Sequence, residues 1–158
     1  MQERRQKGRG VPLSELDPEL TETSRRVIGC AIEVHKALGP GYDEPIYAQA
    51  LQHELKREGI AFDTSRTIDV RYGDAVVGTT TIDMVIDDRF IVDLMAEPVD
   101  IGSYARSKLR AQLRASDLEL GLIVNFAERR LKDGLVRVLN PDKIARDDDG
   151  PDDEHEDE

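Results

Sequence analysis

Residues 81–95 read Thr-Ile-Asp-Met-Val-Ile-Asp-Asp-Arg-Phe-Ile-Val-Asp-Leu-Met. Two short β-prone runs, 82–86 and 90–95, flank the polar Asp87-Asp88-Arg89. A three-residue loop there predicts a hairpin with Ile86 paired to Phe90. That register sets Asp83 opposite Asp93. Directly opposed residues have Cβ atoms about 4.5–5.5 Å apart, where like charges destabilise a sheet. Carboxylates so placed need a cation, a shared proton or open water. A hard divalent ion, Mg2+ or Mn2+, would take both through oxygen. Two carboxylates and a metal can activate a water and hold a phosphate, the chemistry of metal-assisted phosphodiester hydrolysis. The competing reading is that acids at strand ends are simply solvated.

Upstream, Ile68, Val70 and Tyr72 alternate with Asp69 and Arg71 and run into a Gly73-Asp74 turn, and 75–81 is a Val/Thr-rich second strand. Earlier still the period is helical. Asp17-Pro18 reads as N-cap and first helical position. Val27, Ala31, Val34 and Leu38 form a stripe with Ile28 and Ile32 beside it, ended by Gly39-Pro40-Gly41. Asp43 is placed to cap a second helix with Pro45 in its first turn, Ile46, Ala50, Leu51 and Leu55 as its buried side, and Gly59 as its stop. Downstream, a third helix is expected over about 103–115, a covered central strand over 118–126 and a last short strand over 135–139. The expected order is α-α-β-β-β-β-α-β-β. This is an α/β (α+β) domain with a mixed central sheet and flanking helices.

The chain has 158 residues and a net charge of −11. Nine of its acids fall in the last twelve residues, while the first ten are basic, so residues 11–146 are only mildly acidic and nucleic acid stays open as a partner. Dense like charge resists compaction. The expected division is therefore a flexible extension 1–16, a folded domain 17–145 and an acidic disordered tail 146–158. No apolar run approaches the roughly 20 residues of a membrane helix. The basic start lacks the apolar core of a secretory signal. One cysteine, Cys30, excludes an internal disulfide and a cysteine-rich zinc site. These features lead to a cytoplasmic protein without a membrane partner. Gly39-Pro40-Gly41 lacks the lysine and length of a phosphate-binding loop. Three Phe, four Tyr and no Trp offer few platforms for base stacking.

Gly41-Tyr42-Asp43-Glu44-Pro45-Ile46-Tyr47 carries a Gly-x-x-Glu-x-x-Tyr signature, preceded by Val34-His35-Lys36-Ala37-Leu38-Gly39-Pro40. Two later blocks, Gly121-Leu122-Ile123-Val124-Asn125-Phe126 and Leu131-Lys132-Asp133-Gly134-Leu135-Val136-Arg137-Val138-Leu139-Asn140, complete the pattern. In this the chain resembles the GxxExxY proteins, a small branch of the restriction-endonuclease-like PD-(D/E)xK fold. The resemblance spans about 22–141, more loosely in its middle. It implies a core of a helix, a three-stranded meander, a second helix and another strand.

The resemblance also implies roles. Glu44 matches the signature glutamate, Asp83 the first sheet carboxylate and Asp93 the acid of a Glu-x-Lys motif, together a metal site for Mg2+ or Mn2+. The match fails at the motif lysine, where Met95 stands. That lysine orients the attacking water and stabilises developing negative charge, and a thioether does neither. Lys108 falls where relatives tend to carry a glutamine, and a lysine from that helix could project into the same site as a catalytic substitute. The bland alternative is an exposed helix lysine. Arg106, Arg110 and Arg114 share a helix face and read either as a phosphate-backbone rail or as a solvated face paired with Asp117, Glu119 or the tail. Tyr47 reads as a packing residue with its hydroxyl at the edge, or as an orienter of Glu44. His35 and His53 lack metal-ligand spacing and read as surface or boundary residues, and His155 is in the tail. Two functions follow. One is a degenerate or weak metal-dependent nuclease acting on nucleic acid. The other is a non-catalytic module that kept the fold and binds nucleic acid or a protein partner.

Overall fold

The structure, a computed structural model, describes residues 17–143. The expected extension 1–16 and tail 146–158 lie outside the described residues. Helix α1 (Pro18–Leu38) starts as its sequence predicts: the Asp17 Oδ1 accepts the Glu19 N–H at 3.0 Å and Pro18 occupies the first turn. Helix α2 (Glu44–Arg57) buries Tyr47, Leu51 and Leu55, one turn apart. Ile46, expected inside, is 46% exposed; the buried face is rotated by one residue so that the tyrosine enters the core in its place.

Five strands follow, β1 (Phe62–Tyr72), β2 (Ala75–Ile86), β3 (Phe90–Met95), β4 (Leu120–Asn125) and β5 (Leu135–Leu139), with helix α3 (Ser103–Ser116) between β3 and β4. The two strands expected over 75–86 are one. No turn residue divides them, and β1 pairs along the whole length, from Phe62↔Ile86 to Tyr72↔Ala75. β1 also begins well before its visible alternation, because the polar Asp63, Thr64 and Ser65 mask its start. The β2–β3 hairpin has the expected register, Ile86↔Phe90 through Met84↔Val92, with Asp87 and Asp88 at positive φ in the turn.

The sheet order is β1-β2-β3-β4-β5, and only β3 and β4 run parallel. A parallel pair needs a crossover, and α3 supplies it. Side-chain alternation along the strands divides the interior in two. Met84, Ile86, Phe90, Val92, Leu122 and Val124 pack with α1 and α2. On the other side Val85, Ile91, Ile123 and Val138 pack with Leu109 and Leu113 of α3. The result is three layers, α1/α2, sheet and α3. β4 is buried at every position, as a covered central strand should be. At Gly121 a Cβ would lie 2.7 Å from Leu109 Cδ2, so only glycine lets α3 sit this close to β4. Asn140 closes the far end of α3 by donating to the carbonyls of Leu113 at 3.1 Å and Leu118 at 2.9 Å.

His35 departs from its surface reading. It is buried, stacks with Phe126 at 6.4 Å, and its Nε2 lies 2.7 Å from the Glu128 carbonyl. A carbonyl only accepts, so Nε2 carries the proton. The segment after β4 folds back over the end of α1 and covers the ring, which helical spacing alone does not reveal. His53 is exposed and Cys30 buried, as read. Among the described residues no helix is long and apolar enough to cross a membrane.

Candidate active site

The signature around Glu44 has a physical basis. Gly41 takes φ 125, a conformation other residues rarely adopt, and turns the chain from α1 into α2. Tyr47, fully buried and stacked on Phe126 at 4.6 Å, reaches back with its hydroxyl. The hydroxyl donates to the Gly39 carbonyl and accepts the Tyr42 N–H at 3.1 Å. The connecting loop is thus pinned to the core, and Glu44 at the first position of α2 is held where that loop ends. Tyr47 acts through this loop; its hydroxyl is not at an edge.

The second pair of acids sits where β2 and β3 part. The ladder stops at Met84↔Val92. One step beyond, the Leu94 N–H donates to the Asp83 Oδ2 at 3.2 Å. Alternation breaks at the same place, since Ile82 packs with the α3 cluster while Met84 faces α1 and α2. Opposite Asp83 in the β1 register stands Ser65, which has φ 54 and drops out of the pairing. The opened ladder lets the Asp83 and Asp93 carboxyl groups hydrogen-bond to each other.

Their environments differ. Asp93 is buried, whereas Asp83 is exposed. Burial first, then the hydrogen bond and charge of Asp83, raise the Asp93 carboxyl from its ordinary 3.8 to about 7, against the opposing pull of Lys108. The Glu44 carboxyl is raised too, by burial and then by the charge of Asp83. A proton retained on Asp93 below about pH 7 relieves the opposition that the hairpin register creates.

Lys108 is carried by α3, and the register of that helix on the sheet is locked by Gln112. The Gln112 Nε2 donates to the Thr81 carbonyl and to the Thr80 Oγ1, both at 3.1 Å. Lys108 lies one turn earlier on the same face. Glu44, Asp83, Asp93 and Lys108 consequently line one open cavity of about 540 Å³, together with Met95. The cavity lies at the C-terminal end of β3, beside the β3–α3–β4 crossover, the end of parallel strands where α/β proteins place ligands.

Asp43, Glu97 and Tyr104 also line this cavity and were not singled out as site residues. Asp43 read as a helix cap, yet its side chain makes no capping bond; its adjacency to Glu44 was the available signal. Glu97 enters because Asn125 holds its loop, donating to the carbonyls of Glu97 at 2.9 Å and Val99 at 3.1 Å. That contact joins distant segments and leaves no local trace. None of Arg106, Arg110 and Arg114 lines the cavity. Arg106 and Arg110 are half-buried and engaged in contacts of their own. Arg114 pairs with Asp142 at 3.2 Å, in place of the expected Asp117, Glu119 or tail.

Among the described residues, no three His, Cys, Asp or Glu side chains stand together closely enough to form a ready metal cage. The donors nevertheless suit one kind of ion. Two touching carboxylates, with a third acid on the same cavity, match Mg2+, which keeps several waters and takes one or two carboxylates plus substrate phosphates. A cation there would replace the proton that Asp93 retains.

The family model described as the PD-(D/E)XK nuclease superfamily matches residues 21–138. No curated protein and no solved structure gives a match.

Proposed function

The chain belongs to the PD-(D/E)XK nuclease superfamily, and from that premise we propose that it is a weak, metal-dependent phosphodiester hydrolase of the GxxExxY branch, acting on nucleic acid. The observation that supports this most is the convergence of Glu44, Asp83, Asp93 and Lys108 on one cavity. Asp83 and Asp93 would hold the divalent ion, with Glu44 as the third acid on the same cavity. Mg2+ or Mn2+ bound there supplies positive charge to a phosphate oxygen and makes a nearby water more acidic.

The remaining work falls to the chain's own groups. Met95 stands at the motif lysine and cannot donate a hydrogen bond. The Lys108 Nζ, brought in from α3, takes over its duty: it orients the attacking water and stabilises negative charge as it develops on the phosphate. Glu44, on the same cavity, would accept a hydrogen bond from that water. Nucleic acid reaches the site across α3, where Arg106 and Arg110 meet phosphates. All three of Arg106, Arg110 and Arg114 would exchange their present contacts for phosphate, Arg114 giving up Asp142.

The test is calorimetric titration with Mn2+, followed by a cleavage screen on single- and double-stranded DNA and RNA. Wild type should bind Mn2+, and D83N/D93N should lose that binding. Cleavage should fall about 10²-fold or more in K108A, the scale of losing one charge-stabilising donor. Cleavage that survives in D83N/D93N refutes the assignment. Mn2+ binding without cleavage of any substrate favours a second reading, a non-catalytic binding module, for which Met95 is the specific observation.

A further inference from the structure

Strands β1 and β2 continue past the rest of the sheet. β2 pairs with β3 only over residues 84–86, while its pairing with β1 runs on to Tyr72↔Ala75. The distal half is therefore a two-stranded arm, with β1 as the outer edge of the sheet. A ribbon of two strands is marginal by itself in water. This one ends in exposed apolar side chains: Tyr72 at 81%, Val77 at 62% and Val76 at 49%. The register shift at Val70/Arg71 inserts Val77 into β2, so β1 stays regular along its outer edge.

That edge reads Ile68-Asp69-Val70-Arg71-Tyr72, apolar, acidic, apolar, basic, apolar, which is symmetric about Val70 with the charges inverted. We infer that the arm pairs with a second copy of this chain, β1 against β1, antiparallel about a two-fold axis at Val70. Asp69 then lies opposite Arg71 of the second copy and Arg71 opposite its Asp69, so a single contact is made twice. Moving the axis one residue either way opposes Asp69 to itself or Arg71 to itself; half-residue shifts leave both charges facing apolar side chains. Among these registers of the 68–72 edge, the Val70 axis alone matches acid to base.

The same register places Tyr72 of the second copy opposite Ile68. A cavity of about 610 Å³ lies there, lined by residues 68–71 of the edge, by Ala111 and Ala115 of α3, and by the Arg114–Asp142 ion pair, whose charges can meet the tyrosine hydroxyl. The exposed ring of one copy fills the hollow beside the edge of the other. Pairing converts an open sheet edge into the middle of a ten-stranded sheet and covers the most exposed aromatic groups of the arm.

Sedimentation equilibrium on the full chain tests this, with circular dichroism to confirm that each variant is folded. Wild type should sediment at twice the 17.7 kDa of one chain. D69R and R71D should each weaken the dimer about tenfold or more, because both cross-strand pairs become like-charged. The double variant D69R/R71D should recover it. A monomeric wild type at micromolar concentration, single variants that dimerise as well as wild type, or a folded double variant that stays monomeric would each overturn the inference.

Discussion

Asp93 carries a burden that its partner across the hairpin does not. Its carboxyl is buried, and the folded state holds its proton up to about pH 7, whereas the unfolded chain releases it near the ordinary 3.8. Between those values the folded state binds more protons, so stability falls as pH rises. The contribution is fully present below about pH 4 and is lost as pH passes through 7. Asp93→Asn keeps a hydrogen-bond donor toward Asp83 without a charge to bury. In metal-free buffer it should stabilise the protein at pH 8 by on the order of 4 kcal/mol and change little at pH 4, as read by urea denaturation at the two pH values. An equal effect at both would show that Asp93 is not protonated in the fold. At this scale much of the site was readable. A three-residue loop sets a hairpin register, and the register alone put Asp83 and Asp93 together. Tyr47 was harder, because burial and a loop-pinning hydroxyl depend on Phe126, which lies far along the chain.

At the level of elements, what was legible followed from local chemistry. Helix α1 begins at an Asp-Pro and stops at glycine; α3 and the covered strand β4 fall within a residue or two of their expected bounds. The β1–β2 ribbon was less visible. Polar residues at its base hide the alternation, and nothing in the run 75–86 announces that it is a single strand. The seating of α3 could not be read at all, since it depends on Gly121 meeting Leu109 and on Gln112 meeting the β2 backbone. Gly121→Ala should therefore cost about 1–3 kcal/mol, the usual range for forcing a methyl into a filled interior. The same change should lower any metal-dependent activity by more than it lowers metal affinity, because Lys108 moves with α3 while the carboxylates stay with the sheet. Denaturant titration reads the first effect, and Mn2+ calorimetry beside a cleavage assay on the same variant reads the second.

For the molecule as a whole, the acids come mainly from the sheet and α2 and the lysine from α3, so the site spans the boundary between two hydrophobic clusters. A divalent ion that binds only the folded chain stabilises it by mass action, about 2.7 kcal/mol at a hundred times its dissociation constant. For a domain of this size that raises the midpoint of thermal unfolding by roughly 5–11 °C. Mg2+ should do so in wild type and not in D83N/D93N, as scanning calorimetry will report. Acidic residues elsewhere are the same in both proteins, so the comparison isolates the cavity. The α+β class, the mixed sheet and the superfamily were all within reach of the sequence. The meeting of its carboxylates with Lys108 stood in the sequence as one of two alternatives, beside an exposed helix lysine, and the folded chain brings the four side chains to one cavity.

Met95 and Lys108 together constrain what either position can become. Met95 is half-buried and packs against the apolar cluster beneath α3 while also facing the cavity. With a lysine already delivered from the helix, a second at position 95 would set two ammonium groups side by side and push one into that apolar ground. Removing Lys108 first would leave the cavity without its cation. On the proposed function, each single step toward a lysine at position 95 thus makes a worse protein, and only the paired exchange avoids it. If Lys108 carries the motif lysine's duty as proposed, the two positions are coupled: M95K alone should destabilise the folded chain, and M95K/K108M should recover much of that loss.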